Sequence, residues 1–506
     1  MASSSPVLVS IALVLSLSLT AASALTAAPP DAARQTTTTV RAGYYLAAAA
    51  RLRPLASLDA SLYTHLYYSA LAVHPNKRAP VVPADADQAR LLATFSRQLK
   101  SRNRALRTLL SVGAADIIAG AVPGGAAASA AQRTDPAFAA MAADPASRAA
   151  FVAAAVALAK ANGFDGLDVA WRFPASAVEM ADFGFLVAEW RAAAPPGFLL
   201  TATVYFSDHV FDAPLPGVDY PAEAVARGLD WVNVAAFGLR PPGASNANAV
   251  TAFDAPLHDA ASHFSASYGV VSWVDAGVPA AKLVVGLPLY GRSWFLRNKA
   301  NAGVGAPVVA AGPKQRGTNA TGVMSYDEVQ RLAAAGRAVV TTNYDNASVA
   351  SYLSVGDVWV AFDGAAVVAE KLAFAARRGL LGYFLWPVNY DDANLTMSRG
   401  GQPVNQAVTL QFDFFTTVPL MLTCIALCVA ASEVWMQNQI SSSSRRNETG
   451  GVRQTQAPVR VPPALQSPAR TPGPTPAPIS ESSSCLPWRK LDLFLHLGLL
   501  IILVWC

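Results

Sequence analysis

The residues best equipped for chemistry lie in one short run, residues 163–174, which reads Gly-Phe-Asp-Gly-Leu-Asp-Val-Ala-Trp-Arg-Phe-Pro. It offers two carboxylates, Asp165 and Asp168, followed by Ala170 and Arg172. General acid–base catalysis needs a group that gives up a proton and regains it near neutral pH. Arg172 cannot serve, because a guanidinium has a pKa above about 12 and stays protonated in proteins. Burying it without a partner would be costly, so some carboxylate should lie near it. A structural arginine paired with Asp168 or another acid is as good a reading as a binding role. Glu179 and Glu189 follow on a helical segment and should not face a shared site. There is no metal-ligand spacing, phosphate loop or Ser–His–Asp arrangement, and the six histidines are scattered. Neither a metal nor a cofactor is expected.

The elements that must hold this run repeat a simple theme. Short stretches rich in Leu, Val, Ile and Tyr alternate with longer Ala-rich stretches of helical period. Residues 148–162 are one such helix, preceded by turn and cap signals at Asp144, Pro145 and Ser147. Continuous apolar strands separated by helices indicate a parallel sheet buried on both faces. About eight such units close naturally into an α/β (β/α)8 barrel.

Eight landmarks between about Val40 and Arg399 fall in one order. They are VRAGYY from 40, THLYYS from 64, LLSVGA from 109, the run at 163–174, LLTATVYFS from 199, WVNVAAFG from 231, KLVVGLPLYGR from 282 and GLLGYFLW from 379. Together they resemble the family-18 glycoside hydrolases, the chitinases, whose signature reads D-G-x-D-x-D-W-E-[YF]-P. The resemblance implies a TIM barrel over about 35–402, with a small α+β insertion at about 291–361 like that of plant class V chitinases.

It also implies a mechanism, substrate-assisted and outside the usual two-carboxylate scheme. The sugar's N-acetyl oxygen attacks its own anomeric carbon. A Glu donates the proton, a neighbouring Asp orients the acetamido group, and a Tyr–Asp pair on strand six helps hold it. Those positions here are Arg172, Ala170, Phe237 and Gly238. Asp165 and Asp168 persist, in places that support the inner Asp of the family. No catalytic set is intact. The resemblance leaves a sugar-binding surface made of Tyr44, Trp171, Phe237, Tyr290, Arg292 and Trp386, with Trp294 nearby. Trp386 matches the strand-eight tryptophan that stacks beneath the sugar.

The termini place the chain in a membrane. Residues 1–24 read as a signal peptide, with an apolar core at about 7–19 and a small-residue cleavage site at Ala22-Ser23-Ala24. Residues 414–432 form an uncharged apolar run of roughly spanning length. Arg445 and Arg446 follow it, which puts the C-terminal side in the cytosol and the barrel outside. Residues 437–490, rich in Pro and Ser, should be disordered, and 491–506 are again apolar. That tail also fits a glycolipid-anchor signal, as an alternative. All four cysteines lie after the barrel, at 424, 428, 485 and 506, so the exported barrel has no disulfide. Asn319, Asn346 and Asn394 head glycosylation sequons on the exported side. A net charge of +5, spread along the chain, gives no case for nucleic-acid binding.

Three functions remain open. The first is a silent, tethered chitinase-like protein that binds chitin or N-acetylglucosamine oligomers at the cell surface. It would resemble the ectodomain of receptor-like chitinase-related kinases, and would need a co-receptor or kinase partner to signal. The second is a glycosidase inhibitor or protein-binding scaffold. The third is a residual chitin hydrolase. The topology is directly checkable. Protease added to sealed vesicles should remove the tail and spare the barrel. Release by a phospholipase that cuts glycolipid anchors would support the alternative instead.

Overall fold

The computed structural model describes residues 39–400, apart from 77, 114–134, 172, 212–216, 240–248 and 336–339. The signal segment, the apolar run at 414–432, the tail and Arg172 therefore lie outside the described residues. Among those described, no single helix is long and apolar enough to cross a membrane.

Eight parallel strands close into a barrel. They are β1 (Val40–Leu46), β2 (His65–Leu71), β3 (Arg107–Gly113), β4 (Gly166–Ala170), β5 (Leu199–Val204), β6 (Trp231–Val234), β7 (Leu283–Pro288) and β8 (Gly382–Trp386). Closure is made by β8 pairing with β1, where Gly43 lies opposite Leu385. Each strand is a short apolar run buried on both faces, as the sequence suggests. Helices pack outside it, including α1 (Ala86–Lys100), α2 (Pro136–Ala143), α3 (Pro145–Ala161) and α4 (Ala177–Ala193). Helix α3 begins three residues before the expected 148, because Asp144 caps it and Pro145 takes the first helical position. The connection from β1 to β2 departs from the (β/α)8 scheme, carrying only short 3-10 turns.

Between β7 and β8 the chain builds an antiparallel sheet with one helix. Strand Tyr290–Leu296 is central, pairing with Val308–Ala311, Val323–Ser325 and Val358–Phe362. The helix Tyr326–Ala334 starts at a capping box, in which Ser325 and Glu328 each satisfy the other's backbone N–H. Trp294, Trp359 and Phe253 form part of a separate small core there.

The barrel axis is not filled by aliphatic side chains alone. Asp168, fully buried on β4, accepts hydrogen bonds from four neighbouring strands. Thr201 Oγ1 donates to its Oδ1 at 2.7 Å, and Ser111 Oγ and Thr203 Oγ1 donate to its Oδ2 at 2.8 and 3.0 Å. The Tyr44 hydroxyl donates at 3.1 Å and the Asn233 amide at 3.4 Å. Tyr44 stacks on Tyr67 with ring centroids 4.2 Å apart, and Asn233 donates to both their hydroxyls, at 2.8 and 3.1 Å.

Burial raises the Asp168 pKa, and the hydroxyl donors only partly oppose it. A raised folded-state pKa means that ionisation costs stability. The cost sets in as pH rises past the unfolded-state value near 3.9 and is complete above the folded-state value. Asp168→Asn removes that titration. The stability of this variant relative to the parent should climb as pH rises from about 4 and then level off. Urea unfolding of both proteins across this range checks the slope, and parallel curves would contradict it.

Candidate functional site

Strand alternation decides which side chains reach the site. On β4, Asp168 faces the axis, so Ala170 shares its side and Trp171 points outward. Trp171 stacks on Phe138 of α2 at 5.0 Å and lies 6.4 Å from Phe183 of α4. The expectation that Trp171 binds sugar is therefore corrected. It is a packing residue between the barrel wall and its helices. Ala170 is fully buried, and the end of β3 presses on it. A Cβ at Gly113, whose φ is +135°, would collide with the Ala170 carbonyl oxygen.

Asp165 also does something other than support position 170. It sits at the opposite, N-terminal end of β4. There it pairs with Lys100 at 2.6 Å and Arg107 at 3.2 Å, and accepts the Thr108 N–H at 2.7 Å. Burial alone would push its carboxyl up, but these partners outweigh it and hold the pKa below the ordinary value. Glu179 and Glu189 lie on α4 as expected. Glu179 accepts the Ala175 N–H at 2.6 Å, and Glu189 pairs with Arg148 at 2.8 Å.

The other aromatic candidates come together at the C-terminal ends of the strands. Tyr44 lies 5.0 Å from Trp386, Trp386 stacks at 6.4 Å on Phe237, and Phe237 meets Tyr290 edge-on at 6.2 Å. The Arg292 guanidinium lies over the Tyr290 ring at 5.2 Å. Five of the six expected sugar-facing residues thus form one line, from β1 through β8 and β6 to the strand after β7. Every one is buried, with none more than 4 % exposed. Among the described residues the Trp386 indole N–H has no hydrogen-bond partner, an unusual condition for a buried donor. Trp294 belongs to the insertion's core, stacked edge-on against Trp359 at 5.4 Å.

Sequence reasoning missed Asp254, in the loop after β6. It pairs with Arg292 Nε at 3.0 Å and accepts the Tyr290 hydroxyl at 2.6 Å. Burial lowers the Arg292 pKa, but Asp254 beside it more than offsets this and the net shift is upward. Nothing in the local sequence marks Asp254. Thr201, Thr203 and Asn233 were legible in principle, as polar residues set into apolar strand runs. Among the described residues, no group of His, Cys, Asp and Glu could hold a metal ion. The sequon residues Asn319, Asn346 and Asn394 are all exposed.

Comparison with known proteins agrees with this architecture. Residues 40–391 match the family described as Glycosyl hydrolases family 18. The class V chitinase of Arabidopsis thaliana is 35 % identical over 381 residues, covering 74 % of this chain and 91 % of that protein. The crystal structure of a GH18 chitinase from Cycas revoluta in complex with (GlcNAc)3 is 32 % identical, with a TM-score of 0.62. It covers 72 % of this chain and 98 % of its own. A chitinase-like agglutinin from Robinia pseudoacacia is 29 % identical, with a TM-score of 0.58, over 71 % of this chain and 98 % of its own. With the closed barrel and its strand order on the same footing, the chain is a member of glycosyl hydrolase family 18, and plant class V chitinases are among its relatives.

Proposed function

We propose that this protein binds chitin or other N-acetylglucosamine oligomers without hydrolysing them. One observation carries the reading: the acid left on the inward face of β4, Asp168, is fully buried and already lies within hydrogen-bond distance of five donor groups. A general acid must come within hydrogen-bond reach of the glycosidic oxygen, and a carboxyl so engaged cannot turn to a ligand. The next inward position is Ala170, and the proton-donor position of the family is Arg172. The aromatic line from Tyr44 to Tyr290 needs no charge to stack on the apolar faces of pyranose rings. A ligand oxygen would also supply the partner that the Trp386 N–H lacks.

Support for the ligand class comes from relatives. The Cycas revoluta chitinase is described with (GlcNAc)3, and the Robinia pseudoacacia protein is described as an agglutinin. On this reading the barrel stands outside the cell, tethered by residues 414–432 and carrying glycans at Asn319, Asn346 and Asn394. Signal transfer would then fall to a membrane partner.

A second reading, residual hydrolysis, is favoured by one feature. Burial shifts the Asp168 carboxyl pKa upward, the direction in which general acids are tuned.

The experiment that separates the two uses the purified protein and N-acetylglucosamine oligomers. Calorimetry should show saturable binding, and product analysis should show no cleavage. Arg172→Glu alone should restore little or nothing. A general acid contributes roughly 10²–10⁴-fold, but groups acting as one unit are not additive, and positions 170, 237 and 238 would still be empty of their acids and tyrosine. Turnover by the parent that disappears in Asp168→Asn would establish the hydrolase reading. Absence of any oligomer binding would leave the barrel as a protein-binding scaffold.

A further inference from the structure

Asp254 and Gly238 lie 16 residues apart in sequence and meet in space. The Asp254 carboxylate accepts three hydrogen bonds. The Tyr290 hydroxyl and the Gly238 N–H donate to Oδ2 at 2.6 and 3.0 Å, and Arg292 Nε donates to Oδ1 at 3.0 Å. Gly238 has φ +74°, the left-handed region that glycine adopts without cost. A Cβ placed on it would meet the Tyr290 hydroxyl at 3.9 Å. A side chain at 238 and the actual side chain of Asp254 therefore converge on one atom, the Tyr290 oxygen.

We infer that Asp254 is a positioning residue of the glycan site, supplying from a loop the carboxylate that strand six lacks at 238. This rests on the reading that the site takes N-acetylglucosamine oligomers. The chemistry follows from the direction of one proton. A carboxylate only accepts, so the Tyr290 hydroxyl must spend its proton on Asp254. Its oxygen can then act toward any other group only as an acceptor, strengthened by the negative partner. Arg292 neutralises the buried charge and lies against the face of the same ring. The arrangement makes Tyr290 a fixed acceptor. The group it selects on the ligand is a donor, an amide N–H or a sugar hydroxyl. Phe237 packs edge-on against Tyr290 and continues to Trp386, so this acceptor is contiguous with the aromatic line.

The test uses Asp254→Asn and Tyr290→Phe in the full chain, with affinity for (GlcNAc)4 and for the fully deacetylated glucosamine tetramer read by calorimetry. Circular dichroism checks that each variant is folded at the temperature used. Both variants should lose about tenfold in affinity for (GlcNAc)4, the worth of one good hydrogen bond. The double variant should lose no more than either alone, since the two side chains act through one contact. Adding Gly238→Asp to Asp254→Asn should recover most of the loss. Asp is among the few residues that tolerate this backbone region, and it would return a carboxylate to the same hydroxyl. A merely structural role for Asp254 would not predict that recovery. If the loss is confined to the acetylated oligomer, the selected donor is the amide N–H; an equal loss for both identifies a hydroxyl. Should Asp254→Asn fail to fold, Tyr290→Phe, which leaves the Asp254–Arg292 pair intact, carries the test. Binding by the parent with unchanged affinity in Tyr290→Phe, or additive losses in the double variant, overturns the positioning role alone. No binding by the parent overturns both this role and the function on which it rests.

Discussion

A carboxyl group buried on the axis of the barrel sets the terms for everything around it. Asp168 cannot be left without partners in a medium where water is absent. Five donors meet it, from Tyr44 on β1, Ser111 on β3, Thr201 and Thr203 on β5 and Asn233 on β6. Each hydroxyl or amide reaches Asp168 only if its strand is in register. The network therefore fixes β4 against its neighbours, and with it the positions of residues 170 and 171. A slip of one residue on β4 would expose the carboxyl to the helices and bring Val169 onto the axis.

The same physics divides the two surviving acids of the motif. Asp165 lies at the N-terminal end of β4, where Lys100 and Arg107 neutralise it and Thr108 donates its backbone N–H. It ties α1 and β3 to the start of β4. Asp168 does the corresponding work on the axis. Both acids earn their places through the fold itself, with no ligand required. This is why both acids of the run can stand while positions 170 and 172 hold Ala and Arg.

The barrel was legible because its strands are short apolar runs in an order that leaves few alternatives. The site was legible only in part, and the failures have physical causes. Trp171 follows the last inward residue of β4 by one, so pleating turns it toward Phe138 and α2. Closeness to a strand's C-terminal end says nothing about which face a side chain takes, whereas counting alternately from Asp168 would have excluded it. Tyr44, Phe237 and Trp386 do lie near one another, but their depth was not visible from sequence, because burial depends on what packs above them. Asp254 left no trace at all. Its role arises from a loop folding back onto Gly238 and Tyr290, a contact between segments with no shared pattern.

The electrostatics of the barrel axis bear on which polar groups can sit beside the aromatics. An acid at position 170 would join Asp168 on one inward face, in a setting that already raises the Asp168 pKa by burial. Like charges that close disfavour one another's ionisation, and an active site bears that strain as part of its chemistry. Alanine at 170 removes one carboxyl outright and leaves Asp168 balanced by hydroxyl donors. Asp254, by contrast, is paired with the fully buried guanidinium of Arg292. Stacking on Tyr44, Trp386 and Phe237 draws on apolar area and ring polarisability, which cost nothing in charge repulsion. With alanine at 170 this part of the barrel therefore carries less charge repulsion, and the aromatic contacts beside it do not depend on an acid there.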